Sequence, residues 1–177
     1  YENVNLLISL HPLVPFIALT ASATPEVLKD TLIQLNLEEP AIYKSSFARK
    51  NLSYQVFKED DKLYRVEQLL KNSTGSAIVY VRSRKQTVTI SNQLNSLGIS
   101  SNFYHGGVSP EEKRLRLEDW LLEKKLVMVA TNAFGMGIDH PNVRFVIHIQ
   151  LPESLESYFQ EAGRAGRDGN IARAIIL

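Results

Sequence analysis

Leu126-Val127-Met128-Val129-Ala130-Thr131-Asn132 decides the fold class of this 177-residue chain. Five consecutive apolar residues end at a hydroxyl and an amide, with no alternation inside the run. A strand with one wet face alternates. A strand buried on both faces reads as an unbroken apolar run, the mark of a parallel sheet covered by helices on each side. Residues 145–149 read the same way.

Outward from this run, strands and helices take turns. Residues 14–19 are a short apolar run suited to a buried strand. Thr24-Pro25 then starts a helix, with Thr as N-cap and Pro at the first helical position. Val27, Thr31, Leu32 and Leu35 give that helix an apolar stripe. Residues 45–51 are polar and read as a linker. A strand follows from Leu52 to Phe57, then a helix after Asp60-Asp61 with Leu63, Val66, Leu69 and Leu70 on one face. Residues 77–81 form a strand, and 84–97 a helix closed by Gly98. After a strand at 102–104, Ser109-Pro110-Glu111-Glu112 supplies a capping box. A helix from Ser154 to about Glu161 and a strand from Ala172 to Leu177 complete the series. The alternation implies right-handed crossovers and a mostly parallel α/β sheet. It divides the chain into residues 1–47, whose strand has no neighbours, and 48–177, which is expected to fold autonomously.

Composition narrows the function. A hydrophobic content of 44% with 22% charged residues describes a globular chain with material for a core. No apolar run is long enough to span a bilayer, and nothing resembles a cleavable signal. The absence of cysteine excludes disulfides and thiolate zinc sites, which permits the cytosol without demanding it; the expected location is cytoplasmic, nucleoid-associated in a bacterium. The net charge of +1 does not advertise nucleic acid. Residues 1–47 hold two basic and five acidic side chains, against eighteen and fourteen in 48–177, so any nucleic-acid-facing charge is local.

The densest chemistry lies in Gln160-Glu161-Ala162-Gly163-Arg164-Ala165-Gly166-Arg167-Asp168-Gly169. Two permanently charged guanidinium forks, suited to phosphate oxygens, sit three residues apart among glycines that let backbone turn tightly. A structural ion pair of Arg164 with Glu161 or Asp168 is the competing reading. Ser83, Arg84 and Lys85 stand at a strand-to-helix turn, where a helix N-terminus and two cations can hold phosphate. Solvated surface charge is the alternative there. Thr131 and Asn132 offer a hydroxyl and an amide to a backbone phosphate, or Thr131 bonds its own backbone. His105 precedes Gly106-Gly107 on a loop at the same sheet edge. His140 and His148 read as hydrogen-bonded structural residues, without metal-ligand spacing. Trp120, with Leu117, Leu121 and Leu122 nearby, reads as core.

Taken in order, these segments resemble the RecQ family of DNA helicases. The string 160–169 is similar to the motif with which that family reaches ATP on a neighbouring domain. Ala18-Leu-Thr-Ala-Ser22-Ala23-Thr24 resembles the segment coupling ATP state to DNA grip, and 78–84 the opening of the second motor domain. Residues 130–139 resemble the loop touching both DNA and nucleotide; Tyr104-His105-Gly106-Gly107 and 45–51 also fit. The resemblance implies a RecA-like, P-loop NTPase-type domain at 48–177, preceded by the end of a first such domain and a linker at 1–47. It implies Arg167 as arginine finger, Arg164 as a second γ-phosphate contact, and Gln160 as a bridge between nucleotide and DNA states. Gly137 and Asp139 would lie at the nucleotide. Asp139 either accepts from the ribose or caps the following turn. Ser83, Arg84, Lys85, His105, Thr131 and Asn132 would contact single-stranded or junction DNA.

No Gly-x-x-x-x-Gly-Lys-Ser/Thr loop or Asp-Glu-x-His type motif occurs. In the family, these motifs for ATP and Mg2+ lie upstream, and zinc belongs to a downstream region. The chain is therefore expected to be a fragment that does not hydrolyse ATP alone. Val81-Arg82 replaces a common Cys-Asn pair, and Gly107 a common Ala. Gln160-Glu161 argues against the DEAD-box RNA helicases, which carry His-Arg there; a silent binding module is the remaining alternative. A 3′ to 5′ polarity follows from the resemblance only.

Overall fold

Six strands and six helices form among the described residues of the computed structural model, which are all except Tyr1, Ala21, Ser22, Glu38, Glu39, Ser45, Phe47, Asn72 and Met136. They divide into two compact units, Tyr1–Ala48 and Arg49–Leu177.

The first unit holds α1 (Glu2–Leu10) and α2 (Pro25–Gln34). Thr24 caps α2 as its sequence predicts, its hydroxyl oxygen accepting the Val27 N–H at 3.2 Å with Pro25 next. Asn5 Nδ2 donates to Gln34 O at 3.3 Å. The sequence reading did not anticipate α1, although Val4 and Ile8, four apart, are both half-buried. The strand expected at 14–19 does not form: the segment is irregular, with Ile17 77% and Leu19 91% exposed. A strand needs a ladder partner for its N–H and C=O groups, and no second strand exists among the described residues of this unit.

The second unit runs β1 (Leu52–Val56), α3 (Lys62–Lys71), β2 (Ser76–Tyr80), α4 (Arg84–Ser96), β3 (Ser101–Tyr104), α5 (Pro110–Leu121), β4 (Val127–Ala130), β5 (Val143–His148), α6 (Leu155–Ala162) and β6 (Ala172–Ile176). The sheet order is β1-β6-β5-β2-β4-β3 and every pairing is parallel. Strands β2 and β4 are buried throughout, as their unbroken apolar runs predict. Successive side chains feed opposite cores. Ile78, Tyr80, Met128 and Ala130 pack with Trp120 of α5 and Tyr158 and Ala162 of α6. Ala77, Val79, Val127 and Val129 pack with Val66 and Leu70 of α3 and Leu94 of α4. Helices α5 and α6 therefore cover one face, and α3 and α4 the other. Trp120 is fully buried and its Nε1 donates to Ala77 O at 3.3 Å, the core role its neighbours implied.

Serine caps start three of these helices: Ser83, Ser109 and Ser154 accept from the N–H groups of Gln86, Glu112 and Ser157. At the other end of α4, Gly98 takes φ +79°, which glycine alone adopts freely. One connection departs from the alternation. Among the described residues no helix intervenes between β4 and β5, and the connection runs from the carboxyl edge of the sheet to its amino edge.

Candidate functional site

Strands β2, β4 and β3 are neighbours and parallel, so the residues after each one share the carboxyl edge. This brings together Ser83-Arg84-Lys85, Thr131-Asn132 and His105-Gly106-Gly107. Ser83 Oγ accepts the Gln86 N–H at 3.1 Å, and Arg84 and Lys85 form the exposed first turn of α4. The Arg84 guanidinium lies over the glycine pair. A Cβ on Gly107 would stand 3.3 Å from both Arg84 Nη1 and His105 Nδ1, so an alanine at this position is tight. His105 Nδ1 accepts the Gly107 N–H at 3.1 Å. Loss of solvation, then the charges of Arg84, Arg116 and Lys113, hold the His105 pKa below the usual imidazole value. The ring is thus neutral at pH 7 amid permanent cations.

Two of those cations were missed in the sequence reading. The Arg116 guanidinium sits 3.7 Å over the Phe103 ring, which stacks on His105, and Lys113 lies 5.7 Å from the Tyr104 ring centre. Their signal was present: positions 113 and 116 are three apart on the helix that follows the His105 loop. Asn132 is exposed. Thr131 is buried; its N–H donates to Tyr104 O at 3.1 Å and its hydroxyl oxygen accepts from Ala133 N–H at 3.4 Å. Thr131 therefore shapes the turn that presents Asn132, the local role weighed in its sequence.

The arginine string begins on α6, where Gln160 is exposed, and turns at Gly163. Arg164 Nη1 donates to Gly135 O at 2.5 Å. A Cβ on Gly135 would meet Arg164 Nη2 at 2.5 Å, so a larger residue there would have to displace the guanidinium. Arg164 Nε is buried without a hydrogen-bond partner among the described residues. The Tyr80 hydroxyl donates to Phe134 O at 2.9 Å beside it, and burial raises its pKa well above the phenol range against the opposing Arg164 charge. The ion pair considered for Arg164 does not form. Glu161 instead meets His148 Nε2 at 2.6 Å, and Asp168 meets Arg144 Nη2 at 2.5 Å. Both partners lie on β5, beyond the reach of local sequence reasoning.

Arg167 Nη1 donates to Asp139 Oδ1 at 2.8 Å and to Ile138 O at 3.2 Å. The Asp139 carboxylate thus holds the second arginine. Gly137, with φ +76°, gives the loop its bend. Gly137 and Asp139 stand on the segment that leaves the carboxyl edge, and Gly166 N–H donates to Val143 O at the start of β5. The helix-free course of this segment among the described residues brings Asp139 to the arginine string. His140 Nε2 bonds Ser76 Oγ at 2.9 Å, the structural role expected for it. Of the segment at 18–24, Ser22 lies outside the described residues, while Ala23 precedes the cap Thr24 in the first unit. Among the described residues, no three His, Asp or Glu side chains form a metal-binding group. No helix among them is long and apolar enough to cross a membrane.

Chemically, the string offers one anchored guanidinium with an unsatisfied buried donor and one exposed guanidinium on an exchangeable carboxylate. Guanidinium forks of this kind suit oxyanion oxygens.

Comparisons with known proteins bear on the family and the fold. The helicase conserved C-terminal domain matches residues 61–169. The chain is 40% identical over 179 residues to the ATP-dependent DNA helicase RecQ of Bacillus subtilis, covering 100% of this chain and 30% of that protein. It is 41% identical to the ATP-dependent helicase SGS1 of Saccharomyces cerevisiae, over 99% of this chain and 12% of that one. The chain thus spans under a third of either relative's length. Among solved structures, S. cerevisiae Dbp5 bound to RNA and ADP BeF3 superposes with TM-score 0.76 at 22% identity, over 89% of this chain and 43% of that one. That likeness speaks for the RecA-like fold alone. Residues 49–177 fold as a RecA-like parallel sheet, and the chain belongs to the helicase conserved C-terminal domain family, in its RecQ-type branch.

Proposed function

We propose that this chain supplies the second motor domain (residues 48–177) of an ATP-dependent DNA helicase, with residues 1–47 as the end of the first domain and its linker. The observation that carries the reading is the unequal tethering of the two arginines. Arg164 is fixed on a backbone carbonyl, whereas Arg167 rests on Asp139, a carboxylate 77% exposed. Exposed pairs of this kind are worth only about 0–1 kcal/mol, so a phosphate can take the place of Asp139 at little cost. Charge builds on the transferred phosphoryl oxygens during ATP hydrolysis, and Arg167 meets it when the motor domains close. Arg164 holds the γ-phosphate side of the site, and Gln160, one helical turn earlier, faces the nucleotide–DNA junction. Gly137 and Asp139 form the nucleotide-facing wall.

At the carboxyl edge, Ser83, Arg84, Lys85, His105 and Asn132 hold backbone phosphates of single-stranded or junction DNA, with Thr131 shaping their loop. Such contacts position a strand without reading bases. Mg2+ and the phosphate loop belong to the preceding domain on this reading, and residues 1–177 alone do not turn over ATP. Translocation 3′ to 5′, work in recombination and repair, and a cytoplasmic location follow the RecQ-type relationship. Gln160-Glu161 favours DNA over RNA as the stimulating strand.

The test uses the full-length polypeptide that carries this chain, assayed for ATPase with single-stranded DNA and with RNA. Arg167→Ala is expected to lower DNA-stimulated kcat by at least about a hundredfold, somewhat below the roughly 10³–10⁵ that arginine fingers supply. KM for ATP should change little, because the group acts mainly in the transition state. Near-normal kcat would refute the assignment, and a parallel Arg164→Ala variant then shows whether the finger is its neighbour.

A further inference from the structure

The arginine loop is gripped from behind by residues that none of the roles above uses. Arg49 opens the second unit and spreads its fork over two carbonyls of the loop. Nη1 donates to Gly163 O at 2.9 Å, and Nη2 donates to Gly166 O. Asn51 Nδ2 donates to the same Gly166 carbonyl at 2.7 Å and to Asn170 O at 2.8 Å. Gly163 stands immediately before Arg164, and Gly166 immediately before Arg167. Gly166 has φ +61°, and a Cβ there would lie 2.7 Å from Asn51 Nδ2. A side chain at 166 would therefore be strained and would crowd the Asn51 amide.

We infer that Arg49 and Asn51 are positioning residues whose hydrogen bonds to the Gly163 and Gly166 carbonyls set the aim of Arg164 and Arg167. Two features separate this from ordinary loop packing. A guanidinium is the one side chain with two rigid parallel donors, so it fixes both carbonyls in orientation as well as distance. Both carbonyls also belong to peptide units adjoining the two arginines, so a tilt of either moves a guanidinium about 7 Å further out by a comparable angle. The inference rests on the phosphoryl-transfer reading for its catalytic consequence, but its structural half stands apart.

Two measurements separate the halves. The first is amide exchange on the 177-residue chain. Gly169 N–H donates to Gly166 O, the carbonyl held by Arg49 and Asn51, whereas Ala172 N–H donates to Asn51 O in the sheet ladder. In Arg49→Ala, exchange at Gly169 should rise at least about tenfold while Ala172 keeps its protection. Unchanged Gly169 exchange overturns the inference. If Ala172 is lost as well, the variant has disturbed the ladder, and Arg49→Lys, which keeps charge and bulk but reaches one carbonyl, decides by the same criterion.

The second is ATPase kinetics on the full-length polypeptide. Arg49→Ala should lower kcat about tenfold or more, since a misplacement of roughly 1 Å costs up to about a hundredfold. KM for ATP should stay within about twofold, and Arg49→Lys should not restore kcat. Arg49→Ala added to an Arg164→Ala, Arg167→Ala double variant should cause no further loss, because a group acting through those two arginines has nothing left to aim. Losses that multiply overturn the positioning role. Should Arg167→Ala itself keep normal kcat, the finger reading falls, and the exchange measurement alone decides the grip.

Discussion

Replacing Gly166 by Ala puts a methyl group into a part of the arginine loop with no space for it. Gly166 has φ +61°, and the new Cβ would lie 2.7 Å from Asn51 Nδ2 and 2.8 Å from both Ala172 Cβ and Asn170 O. Two costs combine. An L-residue in the left-handed region costs about 1–2 kcal/mol. Forcing a methyl into packed atoms costs about 1–3 kcal/mol more. Lower entropy of the unfolded chain returns about 0.4–1 kcal/mol. A net loss of about 2–4 kcal/mol follows. Gly98→Ala is the control, because Gly98 has φ +79° with no atom within 4 Å of its Cβ; only backbone strain applies, about 1 kcal/mol net. Urea unfolding followed by the fluorescence of Trp120, the sole tryptophan and buried in the second unit, reads both variants. With m near 2 kcal/mol per M, the midpoint should fall by about 1–2 M for Gly166→Ala and about 0.5 M for Gly98→Ala. Equal shifts at unchanged m would show that the loop yields to the methyl, refuting the close grip described for it.

Arg84→Ala should weaken single-stranded DNA binding about equally across unrelated sequences. The slope of log K against log salt should become shallower by about 0.7 for each phosphate that the protein no longer neutralises, and a sequence-selective loss would contradict the phosphate role. Asp168 titrates well below the usual carboxylate value because Arg144 and Asn170 hydrogen-bond its charged form. Its folded pKa is depressed, so its stabilisation is complete above the ordinary value near 3.8 and drains away as pH falls below it. Acid unfolding of Asp168→Asn should therefore lose part of its pH dependence below about pH 4; a slope identical to the parent's would show the pair contributes nothing there.

Most of the sheet was legible because it is written in short-range pattern. The unbroken run at 126–130 announced burial on both faces, and Ser109-Pro110 and Gly98 marked helix ends through chemistry confined to one turn. The arginine string and the cationic turn at 83–85 were likewise visible as local composition. Tertiary structure decided everything that depends on partners remote in sequence. The apolar run at 14–19 is not a strand, since a strand is made by its neighbour and not by its own side chains. Arg167 rests on Asp139, Asp168 on Arg144, and Arg49 on Gly163 and Gly166 more than a hundred residues away. Such pairings leave no period in the sequence: any of 20 Lys and Arg side chains could have met any of 19 carboxylates, and only the path of the backbone selects which do. The helix-free crossing from β4 to β5 is the clearest case. It alone brings Gly135 and Asp139 to the arginines, because both ends of a connection must be placed before its course is determined.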